Sequence, residues 1–266
     1  MTTPNPIQTH GFTPIPTSST TLTAPTTRQN IPPPKATPLT ETPIPTTPLA
    51  QRVLSYAQAH LPTPTLHHSL RVYHYGLAMK QYLSSLDNSA CSPGWADFSH
   101  ETFFLACLLH DIGTTEENMR GTRLSFEFAG GLRAWGVLLG GDDGDGDGEG
   151  EGERGAKKGD GVASKEQAES VVEAIIRHQD LGEVGMITAL GGVLQLGTIF
   201  DNTGKHAQLL HKDTIKEVIQ RYPRTGWSAC FAGVVKEEIR QKPWAHSTAL
   251  GEDFTEKVLG NPYGDE

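Results

Sequence analysis

Cysteine is scarce in this chain. Three occur among 266 residues, Cys91, Cys107 and Cys230, with no CxxC spacing. An odd, scattered count excludes a disulfide framework, and with no recognisable secretory leader it points to reduced thiols in the cytosol. No apolar run is long enough to span a membrane. Positive charge is also thin, with 22 Lys and Arg against 31 Asp and Glu and a net charge of −9. Seven of the acids (Asp142, Asp143, Asp145, Asp147, Glu149, Glu151, Glu153) crowd one segment, and setting them aside leaves about −2 for everything else. The folded body is therefore expected to be nearly neutral, without the basic stripe that nucleic acid requires. Alternating strand patterns are missing too, and no internal repeat is visible.

What is present is unevenly distributed. Twelve of the 18 prolines and 15 threonines lie in the first 48 residues. Residues 1–47 are therefore expected to be largely disordered. From 140 to 161 glycine alternates with acid, which reads as a mobile surface insertion. Its composition resembles half a calcium site but lacks the ligand spacing of one. The remainder, 48–266, reads as a single domain interrupted by that insertion.

Apolar spacing in this domain is helical almost throughout. Helices are expected at Pro48–His60, from Pro64 to Ser85, at Glu101–Leu109 and at Ser125–Leu139. Others follow Ser164, whose spacing to Gln167 fits a capping box, and run through Ile187–Phe200, Asp213–Tyr222 and Ser228–Gln241. Asn88–Ser99 reads as a turn-rich connection, and Gly113 as a helix C-cap. Six to eight helices around one core are expected.

Into this apolar frame the sequence places a few ionisable groups. The run Phe103–Leu109 ends in His110-Asp111, His178 ends Val171–Arg177, and Asp201 ends Leu194–Phe200. His68 opens a helix-spaced apolar face. Buried polar groups are costly unless paired or metal-bound. Two imidazoles and two carboxylates suit a divalent ion such as zinc, iron or manganese. Each has a blander reading: a lone interior histidine is usually a satisfied core residue, Asp111 could cap a helix, and Asp201 could open a turn. His67, His74, His100, His206 and His211 are expected on solvated faces or turns.

The order His68, His110-Asp111, Asp201 resembles the signature of the HD superfamily of metal-dependent hydrolases. The blocks HHSLRVYHYG, LACLLHDIGTTEENM, TRLSFEFAGG, EAIIRHQDLG, LQLGTIFDNTG, YPRTGWSACFAGVVKEE and KPWAHST are similar, in order, to those of its fungal cyanamide hydratase branch. The resemblance spans roughly Leu49–Ser247, and His10–Pro16 is similar to that branch's N-terminal segment, so it is expected to dock on the body.

The resemblance implies an all-α HD-domain bundle with a central metal, and a hydro-lyase adding metal-activated hydroxide to the nitrile of cyanamide to give urea. It implies His68, His110, Asp111 and Asp201 as ligands to one divalent ion, by resemblance zinc, with no organic cofactor. His178 is the only histidine between Asp111 and Asp201, which favours one ion over two. His178 is the candidate for proton transfer, oriented by Asp180 or Glu173. Asp111 counts with it as catalytic. Thr114, Thr115 and Phe200 are candidate substrate contacts, Phe126 and Trp244 candidate walls, and His246 an anchor for the C-terminal segment. Two rivals stand beside this reading. One is an HD phosphohydrolase acting on a nucleotide, with Arg71, Arg123, Arg133 and Arg177 as phosphate donors. The other is an inactive HD interaction module. No nucleic-acid or membrane partner is expected, and a homo-oligomer is compatible.

Overall fold

A computed structural model describes residues 5–27, 30–86, 98–141 and 161–265. The insertion at 142–160 and most of the 88–99 connection lie outside the described residues. Among the described residues eight helices of ten residues or more carry the fold: α1 Pro48–His60, α2 Thr63–Ser85, α3 His100–Leu109, α4 Phe126–Leu138, α5 Lys165–Arg177, α6 Ala189–Thr203, α7 Lys212–Arg221 and α8 Trp227–Gln241. This is the all-α bundle that the periodicity predicts. Among the described residues no helix is long and apolar enough to cross a membrane.

Local chemistry sets the boundaries. Thr47, Ser99, Ser164 and Thr188 each turn a hydroxyl oxygen onto a first-turn N–H of their helix, satisfying one of its orphan donors. Only half of the expected capping box forms at α5. Ser164 Oγ accepts from Gln167 N at 3.1 Å, but the Gln167 side chain turns away, its Nε2 donating across to Glu101 Oε1 at 3.0 Å, and its oxygen does not return to accept from the Ser164 N–H.

α3 and α6 form the centre. In α6 every residue except Ile199 and Thr203 is buried, as its unbroken apolar character demands. α2 runs antiparallel along it, and a Cβ at Gly197 would sit 3.1 Å from the Val72 carbonyl oxygen. That close crossing brings His68 of α2 level with Asp201 of α6. α4 packs on α5, on the other side of α3. Gly113 is not the C-cap expected. It lies in a short 3₁₀ turn at Ile112–Thr114, where a Cβ would meet the Phe126 carbonyl oxygen at 1.9 Å. Its bare Cα lets the start of α4 press against the residues that follow His110-Asp111.

The proline-rich start differs from expectation. β1, Pro14–Pro16, pairs antiparallel with β2, Met186–Thr188, with Ile15 opposite Ile187. Ile15 and Leu22 are buried in the core. Proline lacks an N–H but keeps a carbonyl acceptor, and Tyr73 donates to Pro43 O at 2.8 Å and Tyr82 to Pro32 O at 2.9 Å. Low apolar density concealed how few anchors such a strap requires. The docking of His10–Pro16 is as expected.

His74 and His206, expected on solvated surfaces, are buried. His74 stacks on Tyr222, with ring centres 5.5 Å apart, and its Nδ1 lies 2.7 Å from Thr42 Oγ1. Burial, helped by Arg221, pulls its pKa down to about 4. The unfolded chain takes up this proton below about 6.5 and the fold does not until about 4, so acid destabilises the fold across that window. The contribution is roughly 3 kcal/mol over the whole window. Guanidinium melts at pH 7 and pH 4.5 measure it, and His74→Leu is expected to shrink the difference between them. An identical difference in the variant would remove His74 from the account.

Candidate active site

Three helices deliver the histidines, and helix-end chemistry fixes the tautomers of two of them. His110 is the C-cap of α3 and His178 the C-cap of α5. The last carbonyls of a helix have no partner within it. His110 Nδ1 donates to Cys107 O at 2.8 Å and His178 Nδ1 to Ile175 O at 2.6 Å. His68 Nδ1 donates to Asp201 Oδ2 at 2.6 Å. With Nδ1 carrying the proton in each ring, all three Nε2 atoms are left as bare lone pairs.

Those lone pairs converge on Asp111. His68 Nε2 and His110 Nε2 lie 3.2 Å apart. Asp111 Oδ2 is 3.2 Å from His110 Nε2 and 3.7 Å from His68 Nε2. His178 Nε2 stands 4.0 Å from Asp111 Oδ1. Both Asp111 oxygens are sealed from solvent without a hydrogen-bond partner. Acceptors alone surrounding a buried carboxylate would be strongly unfavourable unless a cation joined them. Four-coordinate zinc with bonds of about 2.0–2.1 Å sets its ligand atoms roughly 3.3 Å apart, and the His68, His110, Asp111 triangle is close to that. The residues present fit a divalent ion, and these three form one group able to hold it.

Burial drives the His68 imidazole down to about 4, against the pull of Asp201. Burial also works against His110, but the Asp111 carboxylate beside it prevails and raises its pKa. Asp111 is held at about 2 despite burial, chiefly by His110. Burial, then His110, lowers His178.

Asp201 stands apart from the expected ligand set. It lies on the Nδ1 side of the His68 ring, away from Nε2. Arg71 grips it with two bonds, Nε to Oδ1 and Nη2 to Oδ2, both 2.9 Å. Arg224 Nη1 adds a third to Oδ1 at 2.8 Å. Burial alone would raise its pKa, yet Arg71 and then Arg224 hold it far below the usual carboxylate range. The indole of Trp227 stacks on His68 at 3.9 Å between ring centres, and its Nε1 donates to Asn202 Oδ1 at 3.0 Å. Nothing in the local sequence pattern announced Arg71, Arg224 or Trp227 as parts of the centre. Arg71 sits three residues beyond His68 on one helix face, which is the only hint available.

A pocket of about 20 Å³ opens beside His110, Asp111 and His178, with Gln179, Thr198 and Asn202 also in its wall. That is room for about one water-sized group. A groove of about 520 Å³ between residues 117 and 141 is far larger but holds none of these histidines. Chemistry, not size, locates the site.

Several expected contacts lie elsewhere. Thr114 Oγ1 donates to Asp111 O at 2.6 Å, and Thr115 caps the short helix Glu116–Gly121. Phe200 packs against Tyr75 and Tyr263. None of the three lines the pocket. Trp244 is 61 % exposed and is no wall. Phe126 is buried with its ring 5.7 Å from that of His178, outside the pocket lining. The orienting partner of His178 is the Ile175 carbonyl, not Asp180 or Glu173, because both acids serve Arg177. His246 does anchor its segment through a backbone bond to Ser125 Oγ. Its ring also faces Glu127 at 3.4 Å and Asp180 at 3.3 Å.

Fold and centre together define an all-helical protein built around a buried His–His–Asp group able to hold a metal ion. The chain belongs to the cyanamide hydratase family. It is 38% identical over 245 residues to cyanamide hydratases DDI2 and DDI3 of Saccharomyces cerevisiae, a match covering 91% of this chain and 91% of each relative. No family model matches the chain.

Proposed function

We propose that this chain is an enzyme that hydrates cyanamide to urea. The observation that carries the reading is the convergence of three Nε2 lone pairs on a buried, unpartnered Asp111 at a one-water pocket, in a chain akin to cyanamide hydratases. His68, His110 and Asp111 would hold the ion, and Asp201 would orient His68 through Nδ1. Zinc suits two imidazoles and a carboxylate. Once bound, the ion supplies Lewis acidity and a water nucleophile available near neutral pH.

The chain's own residues do the rest. A pocket this small favours a compact substrate over a bulky one. Oxygen bonds to the nitrile carbon, and one π pair moves to the nitrile nitrogen, which takes a proton. The attacking water gives up that proton and His178 would relay it: with Nδ1 anchored on Ile175 O, its bare Nε2 in the pocket wall accepts the water's proton and passes it to the nitrogen. The isourea formed tautomerises to urea, so one water is added with nothing released. The nucleotide phosphohydrolase reading fares worse. No Lys or Arg is among the described residues lining the pocket, and Arg71 and Arg177 are committed to Asp201, Glu173 and Asp180. The inactive-module reading does not account for the open carboxylate.

The test is urea formation from cyanamide, with metal content measured on the same preparation. His178→Ala is expected to keep the metal and lose about 10²- to 10⁴-fold in kcat, the usual size of proton-transfer catalysis. Loss of metal together with turnover would instead make His178 a ligand.

A further inference from the structure

The pocket wall holds one acceptor that the mechanism does not use. Gln179 is 7 % exposed, lines the pocket, and its Oε1 is buried without a hydrogen-bond partner. Its position is not loose. Gln195 of α6 donates its Nε2 to Arg177 O and to Asp180 O, both at 2.9 Å, stapling the segment on either side of Gln179. The Gln179 carbonyl is occupied by Leu181 N at 2.9 Å, so the side-chain amide is the free group. A rigidly held, buried acceptor facing a pocket costs stability unless a ligand satisfies it.

Two neighbours complete a polarity pattern. Thr198 Oγ1 donates its hydrogen to Gln195 O at 3.0 Å and so faces the pocket only as an acceptor. Asn202 Oδ1 is occupied by Trp227 Nε1, a donor that can bond nothing but an acceptor. That fixes the Asn202 amide with Nδ2 as its remaining, donating group. These three side chains therefore offer two acceptors and one donor. An aminonitrile presents two N–H donors at one end and a nitrogen acceptor at the other.

Building on the hydratase reading, we infer that Gln179 is the specificity-determining residue of this site: its Oε1, with Thr198 Oγ1, receives the amino group of the substrate and separates aminonitriles from alkyl nitriles of the same size. Asn202 Nδ2 faces the nitrile nitrogen. A site built to hydrogen-bond a substrate N–H rejects the analogue lacking it, because its buried polar groups would then go unpaired.

The test uses the metal-loaded full-length protein, with cyanamide as substrate and acetonitrile, which carries methyl in place of amino, as a competing ligand. Gln179→Leu is expected to raise KM for cyanamide roughly 10- to 100-fold, the loss of one or two good hydrogen bonds. Metal content, melting temperature and kcat should stay near wild type. Acetonitrile should inhibit the variant at least as well as it inhibits the wild type, so discrimination between the two nitriles narrows. Gln179→Glu keeps an acceptor and should recover part of the KM. A purely structural role would move melting temperature or metal content instead and leave the preference intact. An active wild type beside a Gln179→Leu protein with unchanged KM and preference overturns this inference alone. A wild type that makes no urea overturns the hydratase reading and this inference with it.

Discussion

An Asp111→Ala protein is expected to purify without stoichiometric metal and to form no measurable urea from cyanamide. Asp111 contributes the only charged group to the His68, His110, Asp111 triangle. Without it, two neutral imidazoles remain, too weak a set to retain a divalent ion through purification. Loss of the ion removes the activated water, and the rate should fall by about 10³-fold or more. The same substitution also reads out in stability. In the metal-free protein the Asp111 carboxyl is held at about 2 despite burial, chiefly by His110, so its charge favours the fold, and removing one partner of a buried pair is destabilising. The Ala variant should therefore melt below the metal-loaded wild type, whose bound ion adds to its stability. Elemental analysis, a urea assay and calorimetry on one preparation read all three quantities. Normal turnover in a metal-free variant would end the proposal.

Arg71→Met should be among the most destabilising substitutions available to this chain. The Arg71 guanidinium is fully buried, and besides its two bonds to Asp201 it donates Nη1 to Tyr222 O at 3.1 Å and to Pro223 O at 2.8 Å. It therefore ties α2, the end of α6 and the α7–α8 connection together. Methionine fills similar volume, so little cavity forms. The damage lies in Asp201, left with Arg224 and His68 as its partners at full burial. Breaking one side of a buried ion pair costs about 3–5 kcal/mol. With the carboxylate loosened, His68 loses its orienting partner, and metal affinity should fall about 10- to 100-fold. Arg71→Lys should retain part of the stability, since it keeps the charge but not the two-pronged fork. Guanidinium denaturation gives the first number and competition with a chelator the second. An unchanged midpoint for Arg71→Met would mean that the buried pair contributes nothing to the fold.

The sequence exposed the helices well, because their signals are local. Apolar spacing marked α1 to α8, and the capping hydroxyls Thr47, Ser99, Ser164 and Thr188 set where four of them begin. His110-Asp111 was legible for a similar reason: two polar groups ending seven apolar residues conflict with burial unless they have a function. Side was not legible. Asp201 follows an apolar run just as His178 does, yet it meets His68 at Nδ1 and not at Nε2. Only the crossing of α2 over α6 decides that, and it rests on Gly197 and the Val72 backbone. Arg224 was invisible because it is 23 residues from Asp201 and lies in a turn that reads as solvent-exposed. His74 misled through its type, since a histidine on a helix says nothing about which neighbours will cover it. The proline-rich strap misled through composition, because two buried apolar side chains, a few buried hydroxyl side chains and a few carbonyl acceptors secure it.

The last residues described bear on when the centre can come into being. Asn261 Nδ2 donates to Asp201 O at 3.0 Å, Gly264 O accepts from Arg224 Nε at 2.7 Å, and the Asp265 carboxylate receives Ser228 N and Oγ. The backbone of the residue that aims His68 is thus fastened by a side chain 60 positions later in the chain. During vectorial synthesis on a ribosome, His68, His110 and Asp111 leave the exit tunnel long before their orienting scaffold exists. The finished geometry becomes available only once residues 261–265 can fold back onto Asp201, Arg224 and Ser228.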